Sequence, residues 1–317
     1  MKSDPEGERR DEELKKEKAI NYLRAIATLL ITNSHFDALY PAGLSVLGFG
    51  GLFGNCLFFY ISGYCLARPR ERFPQWYGRR LVRVYTPYVL FLPLLLLTGY
   101  HFIKPLYYLF PIEPYHFLPT ILTLYPVFYL CSRLHESGRV KYPAALAAAA
   151  AAQLLYFFLL MDQSGDVVEH YTPMGLLSYF VVMLLGAVHR ECLRPKRGVL
   201  YLLGALACFA LFTLQVFVPL EGALKILQWE IAIGFAFCAG GFFVSLEEKL
   251  KPLGVVELLA ALTLEIYLVQ LPIIDAYAHL RFPAGLIFAL VSIVGVAWAL
   301  HWLSQKLTRL LLKPKKS

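Results

Sequence analysis

Two ionisable residues lie on one face of an otherwise apolar segment near the start of the chain. The segment NYLRAIATLLITNSHF, residues 21–36, contains Arg24 and His35. In a helix, their separation corresponds to three full circles plus about 20° and to a rise of about 16 Å, so the two side chains share a face. An imidazole accepts and returns protons near neutral pH, and a guanidinium matches phosphate oxygens. The pair therefore combines a candidate general base with a candidate phosphate contact.

Each of these residues also has a structural explanation. Arg24 lies near the start of the segment, where a long side chain can reach water and anchor a membrane helix. His35 lies deeper, where an ionisable group normally faces a cavity, although a neutral histidine bonded to another helix is the alternative. Asp37 projects to a different face and is a doubtful orienting group. Glu265, in LTLEIYLVQLP, is a second acid in an apolar segment.

A second cluster of charge is the arginine group in WYGRRLVRVYTPY. Arg80 and Arg83 are one helical turn apart and face the same side, with Arg79 next to them. The planar fork of arginine binds phosphate oxygens in pairs. Basic residues beside a membrane helix can instead set its orientation. The cluster is therefore either a phosphate contact or a topology signal.

The composition indicates an integral membrane protein. The 317 residues are 58% hydrophobic and only 16% charged, with a mean hydropathy of +0.56, which is unusual for a soluble protein. Apolar runs long enough to cross a bilayer recur along the chain. They predict an all-α bundle with about ten transmembrane helices, whose cores are 20–40, 44–67, 84–103, 116–132, 143–161, 173–188, 199–218, 227–246, 254–275 and 284–305.

The distribution of Lys and Arg supports this division. With the N-terminus inside, the inner segments hold 26 of the 30 basic residues, and the outer loops hold only Lys104, Lys225 and Arg281. Cytoplasmic loops collect basic residues, so we expect a multi-pass protein of the cell membrane with both termini in the cytoplasm. The net charge of +8 then reflects topology and attraction to membrane lipids, and it is no evidence for nucleic acid.

The remaining organisation is simple. We expect a charged cytoplasmic tail at 1–18, one transmembrane domain at 19–312 and a basic cytoplasmic tail at 313–317. A homo-oligomer is compatible with the sequence. The six cysteines show no metal-ligand spacing, so we predict no metal site and treat them as small apolar residues; they are Cys56, Cys65, Cys131, Cys192, Cys208 and Cys238.

Three motifs together resemble the integral-membrane acyltransferase 3 family. They are the R-x10-H pattern in YLRAIATLLITNSHF, the segment LFFYISGYCLA, and RRLVRVYTPY with its R-x-x-R pair. A weaker likeness continues in YHFLPTILTLYP and LEIYLVQLPI, so the resemblance spans most of the chain. Members of that family move acetyl or other acyl groups, usually from coenzyme A, onto hydroxyls of glycans, lipids and other acceptors.

The resemblance implies a role for each matching residue. His35 corresponds to the essential histidine of the family, Arg24 to the arginine of R-x10-H, and Arg80 and Arg83 to the R-x-x-R pair. We therefore expect His35 to be catalytic and the three arginines to bind acetyl-CoA. The pair Ser62 and Gly63 matches a family motif that shapes the site rather than reacting.

Two positions depart from the family pattern. Its late motif commonly ends in histidine where this chain has Gln270, so a second catalytic histidine there is absent. The HLW motif reads His116-Phe117-Leu118, which leaves His116 as a candidate for acceptor binding on the outer side. Glu265 is the other candidate for substrate binding.

These observations favour a membrane O-acyltransferase that transfers an acetyl group from acetyl-CoA to a glycan or glycolipid hydroxyl, with His35 as general base. A proton-coupled transporter that uses Arg24, His35 and Glu265 as its relay is the alternative from another class. An export scaffold for lipid or polysaccharide, in which the arginines only set topology, is a further one. It would tolerate loss of His35.

The predicted topology can be tested by labelling. The charge distribution places residues 68–83 inside the cell and residues 162–172 outside. Single cysteines at Gln75 and Asp166 in a cysteine-free background should therefore differ in their reaction with an impermeant maleimide on intact cells. We expect labelling at position 166 and protection at position 75. The opposite pattern would contradict the assigned orientation.

Overall fold

The described part of the chain is a bundle of eleven α-helices without strands. A computed structural model describes residues 5–97, 115–168, 171–193 and 197–312. Short 3-10 turns occur at Asp37–Leu39, Ser45–Leu47 and Gly222–Lys225. The helices are α1 Pro5–Ser34, α2 Gly51–Leu66, α3 Phe73–Leu97, α4 Phe117–Glu136, α5 Tyr142–Leu159, α6 Pro173–Cys192, α7 Gly198–Phe217, α8 Ile226–Ser245, α9 Gly254–Ala261, α10 Thr263–Tyr277 and α11 Ala284–Leu311.

The predicted all-helical membrane bundle is confirmed. Within the described residues, α2 to α8 and α11 are eight helices long and apolar enough to cross a membrane, and the bent pair α9 and α10 adds a ninth. The remaining helix, α1, carries Lys18 and Arg24, and only residues 19–34 of it follow the charged start. The count of about ten spans is therefore roughly right.

The lipid-facing surfaces agree with this assignment. Only 6% of the apolar stretch of α7 is buried inside the bundle, and 17% of that of α11. Leucines cover the outer face of α7, with Leu200, Leu203 and Leu206 more than half exposed. An apolar surface of this extent is stable in hydrocarbon and not in water. The chain is therefore a multi-pass membrane protein.

Two predicted boundaries fall partly outside the described residues. The predicted end of the third span at 103 and the outer Lys104 are outside them, as are residues 1–4 and 313–317 of the two tails. Residues 5–18 of the predicted N-terminal tail are the first part of α1. The boundaries of the two tails stay predictions.

The first membrane helix ends earlier than predicted. The apolar pattern predicts a span to residue 40, but α1 ends at Ser34. The Asn33 side chain donates hydrogen bonds to the carbonyl oxygens of Leu47 (2.7 Å) and Phe49 (3.1 Å), and it accepts one from the Tyr40 hydroxyl (2.8 Å). The following loop is thereby folded back against the helix end, which explains the early stop.

The ninth predicted span, 254–275, is not one continuous helix. Helices α9 and α10 meet at Leu262 with a bend of 75°. The Thr263 hydroxyl bonds to the carbonyl oxygens of Leu259 and Ala260 at 3.1 Å each. Such side-chain bonds compete with the helical ladder and favour bending. The resulting elbow places residues 260–264 beside the basic residues of α3, as the cavities described below show.

Helix α2 occupies the centre of the bundle and packs most extensively against α6 and α1. Its contact with α6 depends on two glycines. A Cβ on Gly63 would overlap the Met183 carbonyl, and one on Gly186 would overlap the Tyr60 carbonyl. Small residues at these points allow the two backbones to approach closely, as is common between membrane helices.

Substitution of Gly63 should separate α2 from α6. We expect Gly63→Ala to destabilise the protein by about 1–3 kcal/mol or more, because the backbone of α6 must move. The midpoint of thermal unfolding in detergent measures the effect. Gly295→Ala in α11 is the matched control, since its added methyl group meets no atom within 4 Å and helix propensity favours alanine. Equal midpoints for the two variants would contradict the packing argument.

Candidate functional site

A cavity with a mostly apolar lining and three arginines opens between α1, α2, α3, α4 and the α9–α10 elbow. Its volume is about 340 Å³, and it brings together Arg24, Arg80 and Arg83. The other lining residues are Phe58, Ile61, Ser62, Cys65, Leu66, Val84, Phe117, Tyr125, Ala260, Ala261, Thr263 and Leu264. Because α1 and α3 are far apart in sequence, the structure joins two motifs that were identified separately. We call this space the inner cavity.

The arginines of the inner cavity differ from three other arginines of the bundle, which are paired with carboxylates. Arg68 is paired with Glu191, and Arg133 with Glu136. Arg79 is paired with Glu71. It does not line the cavity, unlike its neighbour Arg80. In the described ranges, none of the three cavity arginines forms an ion pair with a carboxylate, and no acidic residue lines the cavity. Their charges are therefore available to an anion.

Arg80 is held in place by its own helix. Its Nη1 donates a hydrogen bond of 2.7 Å to the Trp76 carbonyl, and its guanidinium carbon lies 3.8 Å from the centroid of the buried Trp76 ring. The Tyr125 ring, at 5.9 Å, lies on α4. These cation–π contacts orient the guanidinium before any ligand binds. Trp76 was not identified from the sequence, although its position four residues before Arg80 was a usable signal.

A line of polar side chains runs from the inner cavity along the contact between α1 and α10. The hydroxyls of Thr28 and Thr263 lie 3.1 Å apart. Farther along α1, the Thr32 hydroxyl donates to Gln270 Oε1 at 2.9 Å. Thr28 and Thr32 repeat the helical spacing that starts at Arg24, so all three share one face of α1. The sequence contained this signal in the four-residue spacing.

Gln270 has spare hydrogen-bonding capacity in a buried position. Its side chain is 1% exposed, and its Nε2 has no hydrogen-bond partner in the described part of the chain. An unpaired buried amide normally costs free energy, so such groups in native proteins often mark a ligand or functional site. The residue occupies the position at which the acyltransferase 3 pattern commonly has histidine.

His35 lies at the far end of this polar line. It directly follows the last residue of α1, and its backbone N–H donates to the Thr32 carbonyl at 3.1 Å. The side chain is half-buried, and the imidazole forms no hydrogen bond with another described residue. The Asp37 carboxylate instead accepts from the Ala38 backbone N–H at 2.8 Å. The structure therefore gives His35 no orienting carboxylate at Asp37.

The other two predicted site residues, His116 and Glu265, belong to elements other than α1. His116 precedes α4 and is adjacent to Phe117, which lines the inner cavity. Glu265 is buried on α10, where its Oε1 accepts hydrogen bonds from His301 Nδ1 (2.9 Å) and the Ser304 hydroxyl (3.1 Å). It therefore faces α11 instead of the α1 line. Roles of His116 and Glu265 in substrate binding stay predictions.

Comparison of the chain with models of protein families identifies its family. Residues 17–302 match the model of the acyltransferase 3 family, described as an acyltransferase domain. The chain belongs to the acyltransferase 3 family. The match covers Arg24, His35, Arg80 and Arg83, and it ends within α11, before Arg309. No curated protein and no solved structure matches the chain significantly.

Membership of the acyltransferase 3 family makes the chain a membrane acyltransferase. The two ends of the polar line offer different chemical groups. The inner cavity presents permanent positive charge without a carboxylate, and the far end presents an imidazole that can carry a proton. From Arg24 to Ser34, α1 rises about 15 Å. An extended substrate is needed to reach both ends at once.

Proposed function

We propose that this acyltransferase transfers an acetyl group from acetyl-CoA to a hydroxyl group of a cell-surface glycan or glycolipid. The observation that carries the proposal is the cavity with three arginines and no acidic residue lining it, on the helix α1 whose last residue immediately precedes His35. A polyphosphate donor with a long, thin arm fits that combination. A metal ion is not needed for this reading.

The donor would bind with its phosphates at Arg24, Arg80 and Arg83. Charge-assisted, bidentate contacts of this kind are strong and directional. The pantetheine arm would then extend along the α1–α10 contact toward His35. Its two amide groups need hydrogen-bond partners, and Thr28, Thr32 and Gln270 offer such groups along the route.

His35 is proposed to act as the general base. It takes the proton of the acceptor hydroxyl as that oxygen attacks the thioester carbonyl carbon. The new C–O bond forms, the C–S bond breaks, and the proton is returned to the leaving sulfur. The transfer is direct. Cys65 is a thiol in the inner cavity, but it lies with the arginines near the phosphate end and is not placed to carry the acyl group.

The transporter alternative receives less support from the same geometry. It requires Arg24, His35 and Glu265 to act as one relay. Arg24 lies on α1 and His35 directly follows its last residue, whereas Glu265 on α10 is bonded to His301 and Ser304 of α11. The match to the acyltransferase 3 family also favours an acyltransferase over a transporter. The acyltransferase is therefore the better reading.

The proposed orientation follows from the charge distribution. Both termini lie in the cytoplasm, so the arginine cavity opens toward the cytoplasm of the cell membrane, where coenzyme A is made. His35 then lies near the outer side, and the glycan or lipid acceptor approaches from there. His116, the sequence neighbour of the cavity-lining Phe117, is kept as the proposed contact for the acceptor.

Loss of the imidazole should abolish transfer without loss of donor binding. We expect His35→Gln to lower kcat by about 10²- to 10⁴-fold, the usual contribution of a general base. Acetyl-CoA binding should change little because Arg24 lies about 15 Å along α1 from the helix end that precedes His35, and Arg80 and Arg83 lie on α3. Asp37→Asn, in the exposed loop beside His35, is the control and should retain activity. Near-normal turnover of His35→Gln at saturating donor would refute the role of the base.

The donor site can be tested through Cys65, which lines the inner cavity. In a variant that keeps only this cysteine, acetyl-CoA should slow alkylation by N-ethylmaleimide. Arg83→Ala should raise the acetyl-CoA concentration needed for protection by roughly 10- to 150-fold, the effect of losing one charge-assisted contact. Arg79→Ala removes the same charge from a residue paired with Glu71 and should leave protection unchanged. Equal effects of the two substitutions, or no protection at all, would contradict the proposed donor site.

A further inference from the structure

A second opening adjoins the inner cavity at the end of the bundle where α3, α10 and α11 meet. Its volume is about 770 Å³. Both spaces are lined by Arg83, Ala261 and Leu264, so the α9–α10 elbow and one guanidinium form their common wall. We call the second space the outer groove.

The polar groups of the outer groove are of mixed charge. It is lined by Arg83 and Arg309, together with Gln305, Thr308, Ser304 and Glu265. In the described ranges, neither arginine forms an ion pair, and Arg309 is exposed. Two guanidiniums attract a phosphate, whereas the Glu265 carboxylate repels one and accepts hydrogen bonds from N–H or O–H groups. The groove therefore suits a molecule that carries a phosphate together with neutral donors.

Glu265 is fixed in this position by α11. Its Oε1 accepts from His301 Nδ1 and from the Ser304 hydroxyl, and the carboxylate is nearly buried, with 6% of its side chain exposed. Two donors on one oxygen hold the group rigidly, and among the described residues no hydrogen bond to its other oxygen is seen. A nucleoside, with its exocyclic amine and ribose hydroxyl, supplies the matching donors.

Size leads to the same ligand. The inner cavity, at about 340 Å³, is near the lower limit of sites that hold drug-sized molecules. Coenzyme A is larger than such molecules, so it must extend beyond the inner cavity when its arm points toward His35. The adjoining space that continues from Arg83 is the outer groove.

We propose that the outer groove binds the nucleotide half of the donor. Its 3′-phosphate lies between Arg83 and Arg309, and Glu265 and Gln305 face the adenine or ribose. Arg24 and Arg80 are left to bind the diphosphate in the inner cavity. The inference rests on the proposed use of acetyl-CoA, and it assigns a binding role to Gln305 and Arg309, which lie beyond the matched family region.

The test compares donors with and without the 3′-phosphate. For the purified protein in phosphatidylcholine nanodiscs, we expect acetyl-CoA to exceed dephospho-acetyl-CoA in kcat/KM. Arg309→Gln should reduce that preference by about 10-fold or more, and Arg309→Lys should retain part of it, because lysine keeps the charge and lacks the fork. Lys306→Gln is the matched control. Its ammonium lies 3.5 Å from the Trp302 ring centroid, and it does not line the groove.

Direct binding separates this inference from the proposed function. Adenosine 3′,5′-bisphosphate should bind the wild type and Lys306→Gln equally, and Arg309→Gln about 10-fold more weakly. If acetyl-CoA does not bind the wild type at all, the proposed function fails. If it binds, and Arg309→Gln keeps both the full donor preference and the affinity for the bisphosphate, only the groove assignment fails.

The headgroup of a membrane lipid is the other phosphate that could bind between Arg83 and Arg309 in the outer groove. The same measurements in nanodiscs with and without phosphatidylglycerol distinguish it. The proposal expects the effect of Arg309→Gln on donor preference to be equal in both. An effect of Arg309→Gln that appears only with phosphatidylglycerol, and is the same for both donors, would identify a lipid site and overturn the proposal.

Discussion

The fold depends on one constraint, which is that positive charge inside the bundle must be held without a carboxylate. Arg24, Arg80 and Arg83 converge from α1 and α3 on one cavity that no acidic residue lines. Charges of one sign repel in a poorly screened interior, so the protein must position them by other means. Trp76 holds Arg80 by stacking and by its carbonyl. Helix α2, which packs closely on α6 through Gly63, contributes part of the cavity wall.

The same constraint explains why α1 carries its polar residues on one face. A hydroxyl in a membrane helix can satisfy itself by bonding to the carbonyl four residues earlier, as Thr28 does with Arg24 at 2.9 Å. Thr28 and Thr32 also contact α10, so the polar line is a helix–helix contact as well as the route proposed for the donor. Its length is set by the helical rise between Arg24 and Ser34. The same threonines of α1 therefore both hold α10 in place and lie between Arg24 and the end of the helix.

Much of this could be predicted from the sequence because the bilayer imposes a simple pattern. Apolar runs and the bias of basic residues identified the helices, and the spacing of Arg80 and Arg83 placed them on one face. The bend at Leu262 and the early end of α1 could not be predicted, because they depend on side-chain bonds of Thr263 and Asn33. The sequence also could not predict that Arg79 is paired and Arg80 is not, because this depends on the position of Glu71 in the fold.

Packed aromatic rings around Phe117 form one boundary of the inner cavity. Phe117 packs against Phe58 at 5.7 Å and Tyr267 at 5.6 Å between ring centroids, and its backbone N–H donates to the Tyr267 hydroxyl at 3.2 Å. Rings packed in this way exclude water and hydrated ions, whereas they can separate around a thin, flexible chain. A donor whose arm is narrow can therefore be admitted without an open pore. The pantetheine arm of the proposed donor, acetyl-CoA, meets this requirement.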